Sequence, residues 1–184
     1  MPVIISMLRG VNVGGRHQIK MDALRVLYES LGLRDVRTHI QSGNAIFRAP
    51  ERDVSRLAKR IEDAIERSAG FRPHVVVRTS GEMRAAIANN PFAARRGLDP
   101  SKLLVVFLSR NPTREARDRV LGIQADPEEF EIAGREVYIY YPNGMARPQL
   151  PWTTIEKMLD SPGTGRNWNT VNKLLEIAET LEAS

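Results

Sequence analysis

Four short stretches of this 184-residue chain carry residue types that can do chemistry. The first is Arg9-Gly10-Val11-Asn12-Val13-Gly14-Gly15-Arg16. Glycines let the backbone turn sharply and present N–H groups to an anion. Arg9, Arg16 and Lys20 add positive charge. No Gly-Lys-Ser/Thr follows, so this is not a P-loop, and the glycine spacing is not that of a dinucleotide fingerprint. The second is Ile40-Gln41-Ser42-Gly43-Asn44. Ser-Gly-Asn satisfies a tight turn by itself. As a nucleophile, Ser42 lacks a G-x-S-x-G elbow and an identifiable base.

The third stretch is Tyr140-Tyr141-Pro142-Asn143-Gly144-Met145-Ala146-Arg147. Asn-Gly after Pro marks a turn, and loops of this kind are where ligands bind. The fourth is Thr164-Gly165-Arg166-Asn167-Trp168-Asn169-Thr170, which the spacing puts at the start of the last helix. Helix N-termini present unpaired N–H groups and a partial positive charge. Arg166 there adds a bidentate fork, and Trp168 a stacking face. The ligand-binding candidates are Arg9, Gly10, Asn12, Gly14, Gly15, Gln41, Ser42 and Asn44 from the first half, and Asn143, Arg166, Asn167, Trp168 and Asn169 from the second. No catalytic residue can be named.

Other chemistry is excluded or unsupported. There is no cysteine, which removes disulfides, zinc–thiolate sites, iron–sulfur clusters and thiol nucleophiles. His17, His39 and His74 are far apart and show no H-x₃-H or H-E-x-x-H spacing, so no metal is expected. No motif asks for a cofactor. The acidic run Asp126-Pro127-Glu128-Glu129 reads as a solvated edge.

The elements that must position these residues follow from periodicity. Val3 to Leu8 is an apolar, β-branched run and reads as a buried strand. Leu24, Leu27, Tyr28 and Leu31 mark an amphipathic helix stopped by Gly32. Two strands, 36–41 and 45–48, meet across Ser42-Gly43-Asn44. Asp53 caps a second helix with the stripe Val54, Leu57, Ala58, Ile61, Ala64 and Ile65, ended by Gly70. His74 to Arg78 is a further strand. The order β-α-β-β-α-β is the ferredoxin-like unit. Thr79-x-x-Glu82 is a capping box opening a short helix that Asn90-Pro91 ends.

The second half repeats the order. Leu103 to Leu108 is a strand, Thr113 caps a helix, and 129–132 pairs with 137–141 across Ala133-Gly134-Arg135. Thr153-x-x-Glu156 reads as a second capping box, and a last helix runs from about Asn167 to Leu181 with Val171, Leu174, Leu175, Ala178 and Leu181 inward. A final strand for this half is not visible. The fold class is therefore α+β, two ferredoxin-like halves in tandem with antiparallel sheets, the second incomplete or modified. The halves are 1–91 and 102–184, joined by a connector at 92–101, and the repeated order suggests duplication.

Charge and hydropathy set the remaining bounds. Net charge is +5, and it lies unevenly: residues 1–92 carry +6 and residues 93–184 carry −1 by count from the sequence. A positive field favours anionic partners and also keeps a chain in solution. The N-terminus has no basic n-region, and no apolar run reaches the ~18 residues of a membrane span. A cytoplasmic, non-membrane protein is expected. An RNA-binding sheet displays aromatics on its central strands. Here Val3 to Leu8 has none and the neighbouring strand only Phe47.

The motifs Met7-Leu8-Arg9-Gly10-Val11-Asn12-Val13-Gly14-Gly15, Ile40-Gln41-Ser42-Gly43-Asn44, Asn90-Pro91-Phe92, Tyr141-Pro142-Asn143-Gly144 and Arg166-Asn167-Trp168-Asn169-Thr170 occur in that order. With them the chain resembles an uncharacterised bacterial family, domain of unknown function 1697. The resemblance covers nearly the whole chain. It implies a two-part α+β structure with ferredoxin-like topology, and no activity or catalytic residue.

Three functional expectations follow. The first is a binding protein for an anionic small molecule or nucleic acid, a nucleotide or a nucleic-acid phosphate, held by Arg9, the Asn12–Gly15 loop and Arg166–Thr170. The second is an enzyme acting on a phosphate ester, with Ser42, His17 or His39 as acid–base candidates. The third is a non-catalytic module that associates through a sheet face or edge. The oligomeric state is not legible in the sequence.

Overall fold

The structure, a computed structural model, describes residues 1–184. The first sheet is built on β1 (Val3–Leu8), whose six residues are all buried. That continuous apolar run belongs to a central strand covered on both faces. It pairs antiparallel with β3 (Asn44–Arg48) on one side and β4 (Val75–Thr79) on the other. β2 (Arg34–His39) pairs antiparallel with β3, giving the order β2-β3-β1-β4.

Two helices pack on one face of this sheet. α1 (Met21–Ser30) buries Leu24 and Tyr28, with Leu27 and Leu31 partly buried against the same core. α2 (Val54–Ala69) starts where the Asp53 carboxylate accepts from the N–H groups of Ser55 and Arg56, and ends at Gly70 with φ +79°. Such a cap is worth about 1 kcal/mol. Its buried stripe is Leu57, Ile61, Ala64 and Ile65. Within the core, Ser6 and Tyr28 share a hydrogen bond of 2.9 Å between their hydroxyls, satisfying two polar groups that burial would otherwise leave unpaired. α3 (Ser80–Ala88) opens with a reciprocal capping box: Thr79 N–H donates to Glu82 Oε2 at 2.8 Å and Glu82 N–H to Thr79 Oγ1 at 3.1 Å.

The second sheet repeats the plan. β5 (Leu103–Leu108), again fully buried, pairs with β7 (Glu136–Tyr140) and β8 (Gly163–Asn167). β6 (Glu129–Ala133) is the outer strand in the order β6-β7-β5-β8. α4 (Arg114–Leu121), capped by Thr113 Oγ1 on the Ala116 N–H, and α5 (Trp152–Leu159) complete the unit.

Two expectations are corrected here. The second half is not missing its last strand: β8 supplies it. Its residues, Gly163-Thr164-Gly165-Arg166-Asn167, have little β-propensity, and the glycines are there for space. A Cβ on Gly163 would stand 2.7 Å from the Phe107 carbonyl oxygen, and one on Gly165 would stand 3.0 Å from the Leu104 side chain. β8 lies on β5 because it lacks those carbons. The second capping box does not form. α5 begins at Trp152 with Pro151 at its N-cap and no side-chain cap; Thr153 is already inside the helix.

The chain divides into two compact units, Met1–Ala85 with Lys173–Ser184, and Ala86–Asn172. α6 (Trp168–Glu182) therefore gives its first residues to one and the rest to the other. The division by sequence, 1–91 and 102–184, keeps that helix whole in the second half. Its later turns are fixed in the first unit by polar contacts. Arg48 donates to the Leu181 carbonyl at 2.5 Å, Arg84 pairs with Glu179 and Glu182 at 3.1 Å each, and the Ser80 hydroxyl bonds Glu182.

Each unit buries one arginine at a matching place. Arg78 is the fourth residue of β4 and stands opposite Ile5; Arg166 is the fourth of β8 and stands opposite Val105. Both donate from one guanidinium nitrogen to the preceding carbonyl, at 3.0 Å to Val77 and 2.9 Å to Gly165.

Candidate functional site at the loop end of the first unit

Antiparallel pairing brings the β1–α1 loop, the β2–β3 turn and the α2–β4 connection to one end of the first sheet. The β1–α1 loop is not an open string of glycines. Residues 12–17 form a miniature hairpin: Asn12 N–H donates to the His17 carbonyl and Arg16 N–H to the Val13 carbonyl, each at 3.1 Å. Gly14 and Gly15 sit at its tip with φ of +59° and +73°, the two positive values that a tight two-residue turn demands. The glycines thus serve the turn, and the Arg16 N–H is spent on closing it.

Asn12 ties this hairpin to its surroundings with every polar atom of its amide. Nδ2 donates to the carbonyls of Ile19 at 3.0 Å and Gln41 at 2.7 Å, and Oδ1 accepts from the Ile19 N–H at 2.9 Å. The amide clasps the loop to the β2–β3 turn. Asn44 plays a similar part beneath it. Fully buried, it donates to the His39 carbonyl at 3.0 Å and to Ser42 Oγ at 3.1 Å. Gly43, with φ +80°, lies against Leu8 and Val11 so closely that a Cβ would come within 2.8 Å of Leu8 and 2.7 Å of Val11.

The clasp leaves an open cleft of about 490 Å³ lined by Asn12, Gln18, Ile19, Lys20 and Gln41. Lys20 is exposed and is the only charged lining residue; no carboxylate pairs with it or with Arg16. Arg9, at the loop's start, is half-buried, and its N–H donates to the His74 carbonyl at 2.9 Å. Gly10 is exposed with φ +67°. His17 stacks on Phe71 with ring centroids 4.8 Å apart. Val13 and Ile40 stand 64% and 50% exposed on the two clasped loops.

Neighbouring charge is already committed. Arg72 is held by Glu62, Asp63 and Glu66 at 3.0, 2.6 and 2.9 Å. Its hydrogen bond holds the Asp63 carboxyl below the usual carboxylate range. Burial lowers the imidazole of His39, Lys173 lowers it further, and Glu176 opposes.

Of the sequence candidates in this unit, Asn12 and Gln41 meet, as do Ser42 and Asn44, but Asn12 and Asn44 meet them as structural ties. Gln18 and Ile19 line the cleft without having stood out in the sequence, because no motif surrounds them. In the second unit Arg166 lies in β8, two residues before α6 begins, is 8% exposed, and donates to Thr164 Oγ1 at 2.8 Å. Burial pulls its guanidinium down to about 10. Asn167 caps α6, its Oδ1 accepting from the Thr170 N–H at 2.9 Å. Trp168 is half-buried at the first helical position, whereas Asn143 and Asn169 are exposed. No group of three or more His, Asp or Glu side chains is arranged to hold a metal. No helix is long and apolar enough to cross a membrane.

The family model described as "Protein of unknown function (DUF1697)" matches residues 1–138. No curated protein matches the chain. Among solved structures, the conserved bacterial protein SP0830 from Streptococcus pneumoniae is similar, with a TM-score of 0.74 and 19% identity over 97% of this chain and 99% of that one. At that identity the likeness speaks for the fold alone.

Proposed function

We propose that this chain, which belongs to the family of proteins of unknown function DUF1697, binds a phosphate-bearing small molecule of nucleotide type at the loop end of its first unit. The observation that carries this reading is the clasped cleft of about 490 Å³ in which Lys20 is the sole charge. Two further features support it. Arg16 lies on the same loop without a carboxylate partner, so it and Lys20 add to a positive field that favours anions. Val13 and Ile40 supply exposed apolar surface on the two loops, which suits a ligand with both a phosphate and a ring better than inorganic phosphate.

A thermal-shift screen against nucleotides, sugar phosphates, inorganic phosphate and short oligonucleotides tests the proposal. A ligand at ~100 times its dissociation constant stabilises by roughly 2.7 kcal/mol. A selective hit that Lys20→Ala and Arg16→Ala abolish is the expected result. A flat screen, or equal stabilisation by every polyanion, would overturn the reading. Stabilisation by oligonucleotides alone would move the assignment to nucleic-acid phosphate.

A further inference from the structure

The Lys20 cleft carries a second chemical feature besides its ammonium. Of the five residues that line it, Asn12 has its amide used up by Ile19 and Gln41, and Ile19 is a buried aliphatic. Gln18 and Gln41 remain. Both are exposed, and neither side-chain amide has a hydrogen-bond partner in the protein. They come from different loops, Gln18 from the one between β1 and α1 and Gln41 from the β2–β3 turn. The free polar groups of the cleft are thus one ammonium and two carboxamides. The backbone beneath them is fixed in advance. Asn12 holds the Gln41 carbonyl at 2.7 Å, and it holds the carbonyl and N–H of Ile19, the neighbour of both Gln18 and Lys20, at 3.0 and 2.9 Å. Groups placed before a ligand arrives lose less freedom on binding it.

A carboxamide offers an acceptor and a donor side by side. Its match is a base edge with a donor and an acceptor side by side, which is why glutamine pairs with adenine. Adenine has such an edge twice over. Its amino group carries two hydrogens, one beside N7 and one beside N1. Guanine presents only acceptors, N7 and O6, on the first of these edges and calls for an arginine or lysine there. The pyrimidines have no N7 edge at all. No arginine and no carboxylate line this cleft, so the pairings typical of guanine and cytosine are not on offer. Two carboxamides from two loops suit adenine.

We infer that the cleft selects adenine nucleotides, Gln18 and Gln41 each reading one edge of the base, with Oε1 accepting from N6–H and Nε2–H donating to N7 or N1, while Lys20 meets the phosphate. This inference rests on the reading of the cleft as a site for a phosphate-bearing ligand and adds the identity of the base to it. A volume of about 490 Å³ lies in the range of pockets that hold one small molecule, as a mononucleotide requires.

The probes are AMP, GMP, CMP, UMP and ribose 5-phosphate, each titrated at constant ionic strength into the isotopically labelled full chain and followed by amide and side-chain carboxamide chemical shifts. AMP is expected to bind about tenfold or more tighter than the other four, since one good bidentate pair is worth about that factor. Its saturable shifts should include the carboxamide signals of Gln18 and Gln41. Gln41→Met and Gln18→Met keep the length of the side chain and remove its amide, and each should shrink the preference for AMP over UMP about tenfold. Equal affinity for all five probes overturns the adenine assignment and leaves the phosphate reading standing, as does a preference for another base. An AMP preference that survives both substitutions also overturns it, since the selection then lies elsewhere. No saturable shift with any probe, ribose 5-phosphate included, is the failure of the phosphate reading itself and takes this inference with it.

Discussion

Asn12 shows how much one amide can settle. Its three hydrogen bonds reach across a seven-residue stretch of its own loop and over to the β2–β3 turn. Replacing it by Ala would leave the Ile19 N–H and two carbonyls to find water. Asn12→Ala should cost about 2–3 kcal/mol of stability, measured by urea unfolding, because each lost bond contributes about 1 kcal/mol. It should also weaken any ligand of the Lys20 cleft, since the two walls lose their tie. From sequence alone an Asn in a Gly-rich loop is a fair ligand candidate, because type and spacing cannot tell an amide that faces solvent from one that is used up. Arg166 misleads for the opposite reason. Its neighbours Asn167, Asn169 and Thr170 are helix-start residues, and they hide that the chain is still in a strand at position 166. The burial of Glu128 is not legible in the sequence, since the group that meets its carboxylate, the Gln149 N–H, lies twenty-one residues away.

Glycine decides the matter at the level of elements. β1 and β5 are legible as apolar runs, and α2 as a capped stripe with a left-handed stop, because local chemistry and tertiary role agree there. β8 is illegible because a strand that must approach a neighbour closely sheds the side chains by which strands are recognised. The two cases predict opposite outcomes for one substitution. Gly163→Ala puts a carbon 2.7 Å from a backbone oxygen of β5 and should destabilise by about 2 kcal/mol or more, as overpacking does. Gly122→Ala, with φ −77° and its nearest neighbour at 3.4 Å, should be neutral or stabilise by about 0.5 kcal/mol through the unfolded chain. Paired urea-denaturation midpoints check both. The same logic covers the capping boxes. Thr79 and Glu82 bond reciprocally because the helix begins between them, whereas Thr153 and Glu156 carry the same spacing two residues too late.

The whole molecule should respond to alkali through its buried tyrosines. Burial raises Tyr28, against a smaller opposing effect of Ser6; it raises Tyr138, helped by Glu136; and it pushes Tyr141 up to about 12, helped by Glu128. Tyrosines of the unfolded chain ionise near pH 10. Above that pH the unfolded chain has released protons that the folded protein keeps, so stability is full below about pH 10 and falls as pH rises toward each folded value. The slope is at most about 1.4 kcal/mol per pH unit for each tyrosine. Urea midpoints should be level up to about pH 9 and drop beyond about pH 10, and Tyr141→Phe should make the drop shallower; a flat alkaline limb would contradict this. The shared strand order, and the matching arginines of β4 and β8, make the two units variations on one plan, yet they differ in how they are completed. Arg48, Ser80 and Arg84 of the first unit find partners on Leu181, Glu179 and Glu182. During synthesis on a ribosome those partners emerge after every other part of both units. The first unit, although its translation begins before that of the second, must therefore wait with one surface uncovered until α6 has left the exit tunnel, and the second unit has the chance to finish folding before it.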